Sequence, residues 1–462
     1  MIPERLQWLV APEASSTVLG ERFAAAGFSL YLVGGSLRDA LLGRPADDLD
    51  FATEARPQDI KTVIEPVADA IYTVGEKFGT IGMVIDGQTY EITTFRNEIY
   101  RDDSRQPEVS FSDDIETDLS RRDFTINAMA LRLPDTELVD PFGGLADLAA
   151  QRLRTPLSPE TSFSDDPLRM MRLFRFAASL DFKMDPIALA AVEGMSDRIE
   201  IISKERIRDE LSKLLVSDHP ARGLRGIVDS GLAEHFLPEL SELKAQQDPL
   251  YRHKDVWEHT LAVVEKTCPE LRIRIAALLH DVGKPETRRF EKGGVTFHHH
   301  EVVGARIAAR IMSDLRFPKD LIDEVRQLVF LHLRPHTFKM GWTDSAVRRY
   351  ARDAGPLLED LNELVRCDVT TGNARRANAI HRRIDELEER IAVLSEQEEL
   401  DKLRPPVDGN HIMTYLQIAP GPKVGQVMSM LLEHRIDHGP YSEEEAFALA
   451  KEWAIEQGLI DG

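Results

Sequence analysis

Two short stretches near the N-terminus put groups that handle phosphate beside groups that hold a metal. Val33 to Asp39 read VGGSLRD, between the apolar strand candidate Leu30 to Val33 and the helix-forming run that follows. A junction of strand, Gly-Gly turn and helix is a phosphate cradle. The small Gly34 and Gly35 let backbone N–H groups approach an anion, the helix N-terminus adds positive potential, and Ser36 and Arg38 add side-chain donors. A plain connecting turn would read the same. A few residues on comes Asp47-Asp48-Leu49-Asp50-Phe51, where Asp48 and Asp50 project to one side of an extended strand. Neighbouring carboxylates repel unless a divalent cation neutralises them, and two-metal phosphoryl transfer needs carboxylates that hold ions about 3.5–4 Å apart. A solvated acidic turn is the alternative for the pair alone. Cradle and pair together describe nucleotidyl-transfer chemistry with Mg2+. Glu91, in the strand candidate TYEITTF beside the Asp pair, is either a third metal carboxylate or an ion-pair partner of Arg96.

Further along, Asp166, Arg169, Arg172 and Arg175 recur every third residue after Asp165 and so lie along one side of a helix. That is either a solvated basic face or a set of donors and acceptors able to meet a base edge. A different chemistry gathers in the second half. His259 in VWEHT, the adjacent His280-Asp281 ending RIAALLHD, and Asp368 in LVRCD resemble the ligand set of HD phosphohydrolases. Adjacent His and Asp at a helix end can both ligate one divalent transition metal, with partners from other helices. His300 and His332 are candidates for a second ion, whereas His298 and His299 read as loop residues.

The elements that must carry these groups change character along the chain. SLYLVGG, TIGMVID, TYEITTF and ALRLPDTELVD are β-rich and bounded by turn residues, which predicts a small mixed sheet up to about Asp140. From about Asp165 the apolar residues recur three and four apart, as in PLRMMRLFRFAASL, and the remainder is expected to be helical. The charge-laced Ile380 to Leu403 is expected to be a helix stopped by Pro405-Pro406. At 462 residues the chain exceeds one core and should divide into several domains. Its 42% hydrophobic and 29% charged residues are those of an ordinary folded protein. The N-terminus MIPERLQWLV lacks the marks of a signal peptide and no apolar run is long enough to span a bilayer, so a cytoplasmic protein without membrane contact is expected. Cys268 and Cys367, the only cysteines, allow neither a disulfide framework nor a cysteine zinc site. The net charge of −22 argues against nucleic acid as a sum. Local cation clusters at Arg121-Arg122, Arg169 to Arg175 and Lys204 to Arg208 nevertheless leave room for an RNA partner.

These motifs occur in a telling order. GGSLRDALLGRPADDLDFAT resembles the first motif of class II nucleotidyltransferases, the family of CCA-adding enzymes and bacterial poly(A) polymerases. RRDFTINA at Arg121 to Ala128 is similar to the second motif, and DSRQP at Asp103 to Pro107 falls where the family has a flexible loop. DDPLRMMRLFR at Asp165 to Arg175 resembles the base-reading helix, and ERIRDELSKLL at Glu205 to Leu215 the neck helix. The resemblance implies an α+β fold: a small mixed β-sheet nucleotidyltransferase head, polymerase-beta-like, over residues 1–152, an all-α neck over 153–250, an HD body over 251–375 and a helical tRNA-binding tail over 376–462. It implies CTP, ATP and tRNA as partners, with Asp166 and Arg169 as a side-chain template for C or A and Arg172 and Arg175 nearer phosphates or structure. Arg122 would hold the nucleotide's sugar or phosphates, Asp123 would pair with nearby arginines, and Phe124, Ile126 and Met129 would pack the sheet. The family has Glu where this chain has Asp165, which leaves that residue's role open.

Within the family, poly(A) polymerases carry an Arg- and Phe-rich strand where this chain has VGEKFG and Thr80, so the CCA-adding branch is favoured. Gly421 to Gly425 in the tail would form a hairpin offering N–H groups to phosphate, or merely a loop between helices. A main activity in the HD domain, or a tRNA-binding module without catalysis, is the reading from another class. Oligomeric state, and full CCA against CC or A addition, are not written in the sequence.

Overall fold

The computed structural model describes residues 4–45, 49–99, 108–244, 255–291, 294–370, 374–398 and 404–460. The chain forms two compact units, one of Met1–Ala245 with Asp314–Phe317, the other of Gln246–Ser313 with Pro318–Gly462.

The first unit is built on a mixed seven-stranded sheet. Its strands are β1 (Leu30–Val33), β2 (Leu49–Thr53), β3 (Ala70–Tyr72), β4 (Thr80–Ile85) and β5 (Gln88–Thr94), then β8 (Ala130–Leu133) and β9 (Leu138–Val139). A separate hairpin supplies β6 (Arg96–Ile99) and β7 (Glu108–Phe111). The order in the sheet is β3-β4-β5-β2-β1-β8-β9. The four apolar residues of β1 are all buried, as a strand between two neighbours and under helices requires. β2 runs antiparallel to β1 and parallel to β5. Tyr31, Val33, Ala52, Phe95, Leu119, Ala128 and Ala130 pack on one face. The helix Ile115–Ser120, capped by the Asp114 carboxylate on the Glu116 and Thr117 amides, belongs to that face. Phe124, Ile126 and Met129 are core residues, as expected.

Helices complete this unit. Leu168–Leu180 buries nine of its residues and leaves Arg169, Arg172 and Arg175 as a polar stripe. Lys204–Leu215, capped by Ser203, packs against it.

The second unit contains Val256–Lys266, Leu271–Leu279, His300–Asp314, Lys319–Leu331 and Leu358–Asp368. It departs from the all-helical expectation by a hairpin, Arg288–Glu291 with Gly294–Phe297. The charge-laced helix begins earlier than expected and spans Ala374–Glu398. Gly409–Leu416, Pro422–His438 and Glu443–Glu456 pack through Ile412, Val427, Leu431, Ala446 and Ala450. The expected hairpin at Gly421 to Gly425 is absent: Gly421 caps the helix Pro422–His438, and Gly425 lies inside it. Pro422 with its fixed φ starts a helix there rather than a turn back. No described helix is long and apolar enough to cross a membrane.

Candidate active site and metal centre

At the end of β1 the chain turns on Gly34, whose φ of 76° and ψ of −140° belong to a region only glycine enters freely. The Ser36 hydroxyl donates to the Val33 carbonyl at 3.1 Å and accepts from the Asp50 amide at 3.4 Å, tying the turn to β2. Strand register then fixes the acidic groups. Asp50 lies opposite Val33 and, on its other side, opposite Glu91 of β5. Both carboxylate residues are exposed in strands whose flanking positions are buried, so they share one face of the sheet. Arg122 reaches the same spot. A Cβ on Gly34 would stand 2.8 Å from Arg122 Nη1 and 3.9 Å from Asp50 Oδ2. Asp118 steadies the guanidinium by accepting from Arg122 Nη2 at 3.3 Å. Turn, carboxylates and cation thus converge. Arg96 donates to the Phe78 carbonyl at 3.2 Å. Asp48 and the segment Asp103 to Pro107 lie outside the described residues.

Arg38 is placed differently from the donor expected in the cradle. It is buried, fully paired with Asp39 at 2.7 and 2.9 Å, and donates to Asn127 Oδ1 at 2.7 Å with Phe176 beneath it. Gly35 opens the helix Gly35–Leu42 beside that guanidinium.

The arginine stripe divides by partner. Arg172 donates through Nε to Asp123 at 2.8 Å and through Nη1 to Glu210 at 3.3 Å, while Arg175 donates to Glu210 at 2.6 Å and stacks on Phe176. Asp123 also accepts from the Phe124 amide and Asn127. Burial alone would raise the Asp123 carboxyl, but Arg172, Asn127 and Arg169 outweigh it and hold it far below the usual carboxylate range. These two arginines are therefore bolts between the helices and the segment after Arg122. Arg169 is nearer the cradle: its guanidinium donates to the Arg121 carbonyl and, at 2.9 Å, to Ser162 Oγ. Asp166 caps the Leu168 amide and pairs with Arg206 of the neck helix at 3.0 Å. Asp165 pairs with Arg121 at 3.3 Å, which gives the shortened side chain a partner. Arg206 belongs to the cation cluster Lys204 to Arg208 read from the sequence, but its pairing with Asp166, and the partners Glu210 and Asp118, were not. Of these, the i, i+4 spacing of Arg206 and Glu210 was a readable signal.

In the second unit the histidines converge. His259 Nε2 lies 2.9 Å from Asp368 Oδ1, 3.2 Å from His280 Nε2 and 3.5 Å from Asp281 Oδ2; His280 Nε2 lies 3.2 Å from Asp281 Oδ2. His280 Nδ1 donates to the Ala277 carbonyl at 2.7 Å, which fixes the tautomer and aims Nε2 at the carboxylates. His259 Nδ1 is held at 2.7 Å by the Thr370 hydroxyl. Burial pulls the His280 imidazole down, yet Asp281 and Asp368 raise it above its ordinary value. Burial likewise opposes the strongly lowered carboxyls of Asp281 and Asp368; His280 and Lys284 lower the first, and hydrogen bonds from His259 and His336 lower the second. Two residues were missed: Lys284, 2.5 Å from Asp281 Oδ2, and His336, 3.2 Å from Asp368 Oδ2. Both had a signal, standing three residues from Asp281 and four from His332. His298 and His299 lie in a turn, as expected.

Known proteins carry the same parts. The poly(A) polymerase head domain family matches residues 30–154, the family of probable RNA and SrmB-binding sites of polymerase A matches 181–244, and the HD domain family matches 256–369. Head and HD domains of these kinds generally use divalent metals. Among solved structures, the CCA-adding enzyme of Bacillus stearothermophilus in complex with CTP shares the fold, with a TM-score of 0.71 at 23% identity over 99% of this chain and 100% of that one. A CCA-adding enzyme of Streptococcus suis is 46% identical over 223 residues, a match that spans 48% of this chain and about half, 54%, of that relative. An A-adding tRNA nucleotidyltransferase of Deinococcus radiodurans is 32% identical over 92% of this chain and 95% of its own length. A CCA-adding enzyme of Streptococcus gordonii is 32% identical over 97% of this chain and 99% of its own. With head, RNA-binding and HD segments in the same order and a match running end to end, this chain belongs to the CCA-adding enzyme family of tRNA nucleotidyltransferases.

Proposed function

We propose that the chain adds C and A nucleotides to the 3′ end of tRNA from CTP and ATP, without a nucleic-acid template. The observation that carries this reading is the convergence of Asp50, Glu91 and Arg122 on the Gly34 turn. The acidic groups offer oxygen donors only, which suits Mg2+. Asp48, Asp50 and Glu91 would hold the ions, and bound Mg2+ would neutralise charge on the phosphates as the 3′ oxygen attacks. Gly34 and Gly35 amides, Ser36 and Arg122 would cradle the triphosphate, since Arg122 presents a guanidinium beside the open glycine face. Asp166 would accept from the exocyclic amine that cytosine and adenine share, and Arg169 would donate to ring N or O. Arg172 and Arg175 position that helix rather than touch phosphate, because Asp123 and Glu210 occupy them. Four domains with borders near residues 152, 250 and 375 follow from this reading. So does work in the cytoplasm, where these substrates are.

The relatives are named for both CCA addition and A addition. Incubating the full-length protein with tRNA ending at the discriminator base, and with CTP or ATP singly and together, separates these outcomes. Asp50→Asn should abolish incorporation with the circular dichroism spectrum unchanged, since it removes one ligand and half the pair's charge. Ordinary turnover by that variant in Mg2+ would sink the assignment. In the HD domain, His259, His280, Asp281 and Asp368 would hold one divalent transition metal, their nitrogens matching its preference.

A further inference from the structure

Strand register extends the proposed transferase site beyond its carboxylates. Asp50 pairs with Glu91, Glu91 with Gly82 of β4, and Gly82 with Tyr72 of β3, so these four residues form one row across the sheet. Residues opposite one another in neighbouring strands point to the same face, which puts Tyr72 on the face that carries both carboxylates. Neighbouring strands lie about 4.7–4.9 Å apart, so Tyr72 stands two spacings beyond Glu91, roughly 10 Å from it. The Gly34 turn and Arg122 flank Asp50 on the opposite side, where β1 lies.

That order sets where the acceptor must enter. In an in-line displacement the attacking oxygen arrives opposite the leaving group. The leaving pyrophosphate belongs to the cradle on the β1 side, so the RNA 3′ oxygen arrives from the β5 side and its nucleotide lies along Gly82 toward Tyr72. Gly82 leaves that path clear, since it alone in the row has no side chain. A Cβ there would stand 3.5 Å from Tyr72 Cβ and 3.8 Å from its Cδ2, so the ring turns one edge toward Gly82 and the carboxylates rather than off the sheet. Burial does not hold the ring: Tyr72 is 51% exposed, in the strand that ends the sheet.

We propose that this stretch of sheet receives the last nucleotide of the RNA acceptor, with Gly82 as the open floor beneath its sugar and Tyr72 as the surface on which its base stacks. Stacking suits this partner. The incoming base is selected by its edge, whereas the acceptor's last base changes as nucleotides are added, and every base has a π-face that a ring can meet without reading the edge. The inference rests on the transferase reading above, and the test separates the two.

Full-length protein is assayed for CTP addition to tRNA ending at the discriminator nucleotide, either intact or with that one base removed and its sugar kept. In the parent, removing the base should raise KM for tRNA roughly 5- to 150-fold, the range for one base stacked on one ring. Tyr72→Ala should show the raised KM with the intact acceptor already, and no further rise when the base is removed. KM for CTP should be the same in both proteins. Tyr72→Phe keeps the ring and should match the parent. Gly82→Val, whose β-branched side chain suits a strand, should raise KM for both acceptors by filling the floor under the sugar. A base-removal penalty of equal size in the parent and Tyr72→Ala would show that the ring only covers the glycine, and would overturn the inference while CTP addition leaves the transferase reading standing. An unchanged KM for tRNA in Gly82→Val would overturn it as well. A parent that adds nothing to either acceptor would overturn both.

Discussion

Gly34→Ala puts the proposed cradle under the sharpest strain, because one methyl group meets both the backbone and the cation. With φ at 76° and ψ at −140°, an L residue at this position costs about 1–3 kcal/mol. The first unit is of a size at which each kcal/mol moves the midpoint by roughly 2–4 °C, so its unfolding transition should fall by about 2–12 °C. The new Cβ would be 2.8 Å from Arg122 Nη1, closer than real contacts allow. The guanidinium is the far end of a flexible side chain, so it swings away and the backbone stays. A charged hydrogen bond to phosphate is worth about 1.5–3 kcal/mol, so kcat/KM for CTP should drop roughly 10- to 150-fold. Gly27→Ala is the control. It has φ of 85° with nothing within 4 Å of the added carbon, and it should cost stability without touching kcat/KM. Calorimetry and steady-state addition to tRNA read both effects. A Gly34→Ala enzyme whose kinetic loss matches that of Gly27→Ala would refute the placement of Arg122 over the nucleotide.

Base selection should reside in Arg169. Arg169→Ala should relax the choice among C, A, U and G by about 1–3 kcal/mol, roughly 5- to 150-fold, measured as ratios of kcat/KM for single nucleotides. Unchanged ratios with weaker tRNA binding would make Arg169 a phosphate contact. Acid should attack the bolt between head and neck first. Because the folded Asp123 carboxyl is depressed, its stabilisation is complete above its unfolded value, about 3.9, and is lost as pH falls through the folded value. Urea midpoints should therefore drop below about pH 4 in the parent and less steeply in Asp123→Asn. That variant should be about 3 kcal/mol less stable at pH 7, the low end for a broken buried pair because Arg172 keeps Glu210. Equal acid sensitivity in both would remove Asp123 from the account.

What the sequence made legible follows from the range over which each signal acts. Periods of two and of about three and a half residues are properties of single elements, so the strand candidates around Leu30, Ile81 and Ile92 and the arginine stripe from Arg169 to Arg175 could be read directly. The partners of that stripe could not. Asp123 and Glu210 are 49 and 38 residues from Arg172, and spacing tells which side chains share a face but not what the face meets. The strand pairs Arg96–Ile99 with Glu108–Phe111 and Arg288–Glu291 with Gly294–Phe297 were missed because each strand has only four residues, too few for the alternation in Glu108–Phe111 and Gly294–Phe297 to stand out.

The histidine centre shows both kinds of information at once. His280, His300 and His332 each donate from Nδ1 to the carbonyl three residues earlier, those of Ala277, Phe297 and Val329. His280 and His332 cap helix C-termini, where such carbonyls have lost their intrahelical donors. For His280 and His332 the tautomer that exposes Nε2 is therefore set locally, by backbone geometry that a helix C-terminus supplies wherever it stands, whereas His300 takes its carbonyl from the end of the preceding strand. Bringing these two ends and the first turn of the His300 helix together is a matter of tertiary packing. Gly283 against the His300 helix is the contact on which it turns, and no local pattern marks that glycine as different from any other in a turn.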